Sequence, residues 1–168
     1  MTLQKLQKLF PTATASTWHQ HKNGGGWVEN TASVEESCYV GENAWVAENA
    51  RVYGDARVSG NARVAENVQV FGNARVSGDA RVAGTAWVAE NAHVTGNAWV
   101  YENAWMYENA RVSGDARVSG TVWVFGNARV YENARVSGDA RVSGTARVFG
   151  NARVSGTAWV FGDDVITA

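Results

Sequence analysis

One proline and one cysteine are all that 168 residues contain of either type. A lone cysteine cannot build a disulfide framework within the chain, and after Pro11 every backbone amide is free to donate. Long apolar runs are missing too. No stretch approaches the eighteen or so apolar residues of a membrane span, and the opening MTLQKLQKLF has no run of signal-peptide length, so no membrane association and a soluble, cytoplasmic setting are expected. Nor does one sign of charge dominate. Fifteen Lys and Arg against sixteen Asp and Glu leave a net charge of -1, which disfavours a surface designed to neutralise phosphates, and no nucleic-acid partner is expected. Histidine is scarce as well, with only His19, His21 and His93. Zinc needs about three protein ligands, and these three could meet only if the segment holding His19 and His21 folded across to His93. No metal and no cofactor are expected.

The chain instead contains a pattern that repeats every six residues from about Tyr39 to Val160, as in GDARVS, GNARVA, GTAWVA and GNAWVY. Val occupies one column from Val40 to Val160, broken only by Met106 and followed in step by Ile166. Two residues before each Val is a small apolar residue, usually Ala, with Cys38, Val68 and Val122 as variants. Alternate residues of a strand face the same way. In Ala86-Trp87-Val88-Ala89, therefore, Ala86 and Val88 point inward while Trp87 and Ala89 point out. The two remaining positions, Gly-Asn, Gly-Asp, Gly-Thr or Glu-Asn, suit a tight turn because Gly, Asn and Asp tolerate positive φ. A period of six matches no helix, and turns of constant length do not suit a meander. The expected fold is all-β: a parallel β-helix solenoid whose coils stack to make one core.

Val40-Gly41-Glu42-Asn43-Ala44-Trp45 and its successors resemble the bacterial transferase hexapeptide-repeat family, over residues 34–166. The resemblance implies a left-handed β-helix of triangular section with three hexads per coil. The hexads from Val40 to Ile166 would then make just over seven coils, a prism about 35 Å long at about 4.8 Å per strand.

Residues 1–27 are expected to form an N-terminal cap and residues 28–168 the solenoid. Thr2 can cap a short helix with Leu3, Leu6 and Phe10 or Leu9 on one face, ended by Pro11 and placed as a lid on the first coil. Residues 12–27 are expected to be an irregular bridge, with the register extending back through Val34 and even Val28. At the other end Asp164 stands where the pattern places an inward Ala. It is either a charged stopper against end-to-end stacking at an uncapped coil or a sign that the solenoid has frayed. Cys38, in the inward column, is expected to fill core.

Sorting outward residues at a period of eighteen gives three unlike faces. Face one runs Tyr39, Arg57, Arg75, His93, Arg111, Arg129, Arg147; face two runs Trp45, Arg63, Arg81, Trp99, Arg117, Arg135, Arg153. Ten of the twelve Arg lie on these two. Acidic turn residues such as Asp55, Asp79, Asp115 and Asp139, with the corner Glu residues, are expected to pair with them in a salt-bridged surface. Face three instead collects nine aromatics: Tyr53, Phe71, Trp87, Trp105, Tyr107, Trp123, Phe125, Trp159 and Phe161. Stacked rings stabilise neighbouring coils, but this does not explain their confinement to one face, and a patch of that extent exceeds what a monomer normally exposes.

The leading functional expectation is a non-catalytic, structural, self-assembling solenoid whose face-three aromatics form an interface. Its partner is a second copy, and the resemblance favours a trimer; end-to-end stacking at the C-terminal coil is a further possibility. The resemblance also implies an alternative, an acyltransferase using an acyl thioester and His93 as general base, although no loop interrupts the hexads near His93. It likewise extends to zinc-dependent carbonic anhydrases, for which His19, His21 and His93 would have to converge. A third class is a module binding carbohydrate or protein through Trp87, Trp105 and Trp123. The turn threonines Thr85, Thr121, Thr145 and Thr157 do not form the flat outward rows of an ice-binding surface.

Overall fold

The computed structural model describes residues 1–168. Each hexad makes one very short strand, and each strand pairs in parallel with the strands eighteen residues before and after it. Trp87–Val88, for example, pairs with Gln69–Val70 on one side and with Trp105–Met106 on the other. Three sheets result, one of nine strands and two of eight, and they coincide with the three faces drawn from the sequence. Backbone bonds continue past each strand into the corners, as in Ala89 N–H to Met106 O at 2.8 Å and Asn91 N–H to Glu108 O at 2.9 Å. The Val and Ala columns fuse into one core of 42 buried residues running from Val28 to Val160. Met106 and Cys38 are enclosed in it without exposure.

The corners have their own chemistry. From Glu48 to Gly162 their first residue takes positive φ, whether it is Gly or one of six glutamates, Glu48, Glu66, Glu90, Glu102, Glu108 and Glu132. Coils approach closely there: a Cβ on Gly84 would lie 2.6 Å from the amide nitrogen of Glu102. Where Glu occurs, its carboxylate can reach the corner one coil on. Glu66 accepts from the amide of Gly84 at 2.9 Å and Glu132 from that of Gly150 at 3.0 Å. The second corner residues form their own ladders, with Asn61 Nδ2 donating to Asp79 at 2.8 Å and Asn97 Nδ2 to Asp115 at 2.9 Å.

The N-terminal region differs from expectation in two respects. Helix α1 (Leu3–Leu9) is capped by Thr2 as the sequence suggests, but it lies on the flank of the prism and not over its end. Leu6 is buried in a cluster with Ala13, Trp18, Trp27 and Ala47, against which Phe10 and Trp45 pack. Phe10, not Leu9, completes the apolar face; its ring meets Trp18 at 4.8 Å and Trp45 at 4.9 Å, while Leu9 is exposed. The second difference is that the stretch expected to be irregular contains strand β1 (Trp18–Gln20), antiparallel to β2 (Trp27–Glu29). β2 in turn pairs in parallel with Trp45–Val46, so the solenoid register reaches back to Trp27 and completes an eighth rung. The hairpin loop covers the adjoining strand edge: Gly26 N–H donates to Val40 O at 2.8 Å and Val40 N–H to Asn23 O at 3.0 Å.

At the other end the register persists. Val165–Thr167 pairs with Arg147–Phe149, and Asp164 turns outward, its carboxylate accepting from the Phe161 amide at 3.1 Å. Asp164 therefore closes a turn, and the solenoid has not frayed at that point. No helix is long and apolar enough to cross a membrane.

Candidate functional site

Face three carries two adjacent columns of rings, held one rung apart by the parallel register beneath them. In the column at mid-strand, Trp87 stacks on Trp105 with ring centroids 4.8 Å apart and planes 1° from parallel, and Trp105 stacks on Trp123 at 5.4 Å. In the column beside the corner, Tyr53 stacks on Phe71 at 4.9 Å and Tyr107 on Phe125 at 5.0 Å. Arg141 lies between two indoles of the first column, 4.9 Å from Trp123 and 4.9 Å from Trp159. Trp105, Trp159 and Phe161 remain exposed. Burial among the neighbouring rings raises the phenol pKa of Tyr107, and Glu108 adds to the effect.

The second column is interrupted twice. Ala89 replaces a ring between Phe71 and Tyr107, leaving a hollow of about 180 Å³ whose walls include Trp87 and Trp105. Ser143 does the same between Phe125 and Phe161, and a hollow of about 250 Å³ opens there beside Arg141 and Trp159. Both gaps are visible in the outward pattern of the sequence once the column is written out.

The Arg columns correct the salt-bridge expectation. The one ion pair in the structure joins Lys22 to Glu36; no Arg is paired with an acid. The acids stand at corners, where Asp79, Asp115 and Asp139 accept from Asn61, Asn97 and Thr121 one coil away, while the guanidinium groups stand at mid-face. Part of the cationic charge meets indole instead: Arg81 and Arg117 lie 4.7 and 5.2 Å from the ring of Trp99 between them. Such contacts contribute about 0.5–1 kcal/mol at exposed sites. The signal was present in the sequence, as Arg and Trp alternating at a period of eighteen.

His93 continues the Arg column of face one, paired in register with Arg75 and Arg111. Partial burial lowers its pKa, and the two Arg lower it further. No carboxylate orients the ring. The hollow on the same face is lined by Arg111, Ser113, Arg129, Tyr131 and Arg147 and does not include it. The other two histidines are placed elsewhere. His19 Nδ1 is 2.8 Å from Asn30 Oδ1. His21 is buried, with Nε2 3.1 Å from Glu35 O, which ties the hairpin loop to the first coil. No three His, Cys, Asp or Glu side chains converge as metal ligands. Cys38 is enclosed in the core, its Sγ 3.5 Å from Gly54 O, and burial raises its thiol pKa.

Comparison with known proteins gives the same picture of the repeat. The YdcK Beta solenoid repeat matches residues 50–66, 56–72, 68–84, 74–90, 110–126 and 146–162. Among solved structures, similarity extends to a hexapeptide transferase family protein from Anaplasma phagocytophilum, at 12% identity over 84% of this chain and 72% of that one, with a TM-score of 0.30. It extends also to the UDP-N-acetylglucosamine acyltransferase of Francisella novicida, at 16% identity over 84% of this chain and 66% of that one, with a TM-score of 0.40. No curated protein sequence matches. With a six-residue repeat, an eighteen-residue coil and three parallel sheets around a Val-Ala core, the chain is a hexapeptide-repeat β-solenoid, and part of its length is similar to the YdcK Beta solenoid repeat.

Proposed function

We propose that this protein is a non-catalytic structural solenoid that associates with its own kind through face three. The observation that carries the proposal is the concentration of nine of the fifteen outward aromatics of residues 39–161 on one side of a prism whose core is the same on all three sides, the other six being divided between two faces. Ring stacking between coils contributes about 0.5–1.5 kcal/mol per pair wherever it occurs, so stability alone would favour no particular face. A contiguous aromatic surface next to two Arg-rich ones suits a partner surface that is itself apolar. The closed homo-oligomer is a trimer if the family's packing is followed.

The test is native mass by light scattering across a range of concentrations, for the parent chain and for Trp105→Glu. Trp105 is exposed at the centre of the stack, so the charge should return the assembly to the 18.1 kDa chain while the circular dichroism stays unchanged. Identical masses for the two would refute the proposal.

A second reading, acyl transfer with His93 as base, is favoured by one observation: its lowered pKa leaves a neutral imidazole able to accept a proton near neutral pH. It would need a neighbouring subunit to supply the rest of a cleft. His93→Ala should then abolish acyl transfer from a thioester donor without disturbing the fold, and activity that persists would remove this role.

A further inference from the structure

Rings one rung apart, at 4.8–5.0 Å, already stack on each other and leave no room for a third between them. Only where Ala89 or Ser143 replaces a ring does the corner-side column open a gap two rungs wide. A cavity of about 150 Å³ is enough to bind benzene; the hollows over Ala89 and Ser143 measure about 180 and 250 Å³. Each can take one phenyl ring with a ring face or edge on either side of it.

The order of residues along the column says where such rings could come from. It runs Tyr53, Phe71, Ala89, Tyr107, Phe125, Ser143, Phe161, and the mid-strand column beside it runs Arg51, Gln69, Trp87, Trp105, Trp123, Arg141, Trp159. A two-fold axis parallel to the strands and passing through Trp105 and Tyr107 lays a second copy on face three with its coils running the opposite way. Each column then covers its own kind, and all the rungs from Arg51 to Trp159 overlap. Ala89 comes opposite the partner's Phe125, and Ser143 opposite the partner's Phe71, so both hollows receive a phenylalanine from one operation. Arg51 comes opposite the partner's Trp159, repeating the Arg-over-Trp contact that Arg141 already makes, and Arg141 opposite the partner's Gln69.

Other registers fit less well. Slipping one rung in one direction sets Ala89 against Ser143, hollow against hollow. Slipping one rung the other way still sets a ring over each hollow, Tyr107 over Ala89 and Tyr53 over Ser143, but it places Arg51 against Arg141, cation against cation, and Trp159 against Ser33 in place of an Arg. Parallel copies related by a two-fold axis along the prism either exchange the two columns, setting Ser143 against the partner's Arg141, or place Ala89 opposite Ala89. A threefold arrangement without slip turns face three toward the Arg and Ser columns of a neighbour. The overlapped face measures about 34 by 15 Å, from about 4.8 Å per strand along the prism and about 3.3 Å per residue across it. Two such faces cover about 1,000 Å², the lower size for a specific pair, and most of it is aromatic.

From this complementarity of gaps and charges we propose that face three is an isologous interface with a second, antiparallel copy of the chain, keyed by Phe125 and Phe71 entering the hollows over Ala89 and Ser143. This rests on self-association through face three and replaces the family's threefold packing with a two-fold pair.

Sedimentation equilibrium on the full chain and on Ala89→Trp tests it. Tryptophan at position 89 fills the gap from within the chain, in a column that elsewhere accepts Tyr and Phe, and adds apolar surface. If any aromatic contact sufficed, association would hold or strengthen. The keyed pair instead requires the dissociation constant to rise at least tenfold in A89W, and to return to within about threefold of the parent when Phe125→Ala is added to vacate the matching space. A89W associating as well as the parent, while Trp105→Glu is monomeric, would overturn the keyed pair and leave face-three association standing. A parent chain monomeric at every concentration would overturn both. Independently of how A89W folds, Tyr107→Cys places a thiol on the axis facing its own copy; Cys38 is buried and does not compete. Facing sheets lie about 10 Å apart, too far for a disulfide, so a short bis-maleimide should give the covalent pair, and a chain that stays uncrosslinked while still associated would overturn the proposed axis.

Discussion

Two corner glutamates in the same backbone conformation should respond differently to glycine. Glu66 and Glu102 have φ of 66° and 61°, a region that costs a non-glycine residue about 1–2 kcal/mol. Glycine removes that cost but adds freedom to the unfolded chain, a loss of about 0.4–1 kcal/mol. For Glu102, whose carboxylate has no hydrogen-bond partner, Glu102→Gly should therefore be stabilising by about 0.5 kcal/mol. Glu66 differs in one respect: its carboxylate accepts from the Gly84 amide at 2.9 Å. Bonds to charged groups contribute about 1.5–3 kcal/mol when protected from water, and about 1 kcal/mol is reasonable for this exposed one. Glu66→Gly should then be destabilising by about 0.5 kcal/mol. Thermal and urea unfolding of both variants, under identical conditions, should separate them by about 1 kcal/mol, or about 2–4 °C in Tm. If Glu66→Gly proves as stable as Glu102→Gly, the coil-to-coil carboxylate bond contributes nothing, and glutamate at the corners needs another explanation.

His93 and Cys38 give two further tests. Because burial and the flanking Arg75 and Arg111 depress the His93 pKa in the folded chain, the unfolded chain takes up this proton first as pH falls through 6.5; stability must drop from there down to the folded value and then level off. His93→Gln should remove that part of the slope in urea midpoints measured between pH 7.5 and 5, and an unchanged pH profile would refute the assignment. Cys38, enclosed and with a raised thiol pKa, should resist a thiol-reactive dye in the native protein and react fully in denaturant; rapid native labelling would show that the first coil opens readily.

The solenoid was legible because its information is columnar. Val and Ala recur at one phase of six, so strand, inward direction and face all follow from a single period, and the paired register of Trp87 with Trp105 or Arg111 with Arg129 follows from three hexads per coil. What occurs once was harder to read. The Gly24-Gly25-Gly26 run looks like a flexible bridge, yet a Cβ on Gly24 would sit 2.4 Å from the carbonyl oxygen of Val40, so glycine there permits a tight seat on the first coil. The sequence suggests the end of the prism for the helix because the helix's own apolar face is evident, whereas the surface it covers, Ala47 with Trp27 and Trp45, looks like any other outward position. The Arg columns misled for a related reason. Composition balances acids against bases, but the acids are confined to corners and the guanidinium groups to mid-face, so equal numbers do not make pairs.

The same columnar order separates what holds the fold together from what distinguishes its faces. Every coil closes the same kind of core and contacts chiefly its two neighbours, so an outward substitution is felt over one rung in each direction and the core barely registers it. Trp87, Trp105 and Trp123 could have been shared among the faces with the same Val column beneath each sheet. An outward pattern that the core does not require, and whose two gaps at Ala89 and Ser143 fall where a reversed copy presents Phe125 and Phe71, therefore bears on association more than on folding. A mutational scan of the outward positions should reflect this division: stability should depend on the identity of immediate rung neighbours, and association on position along face three.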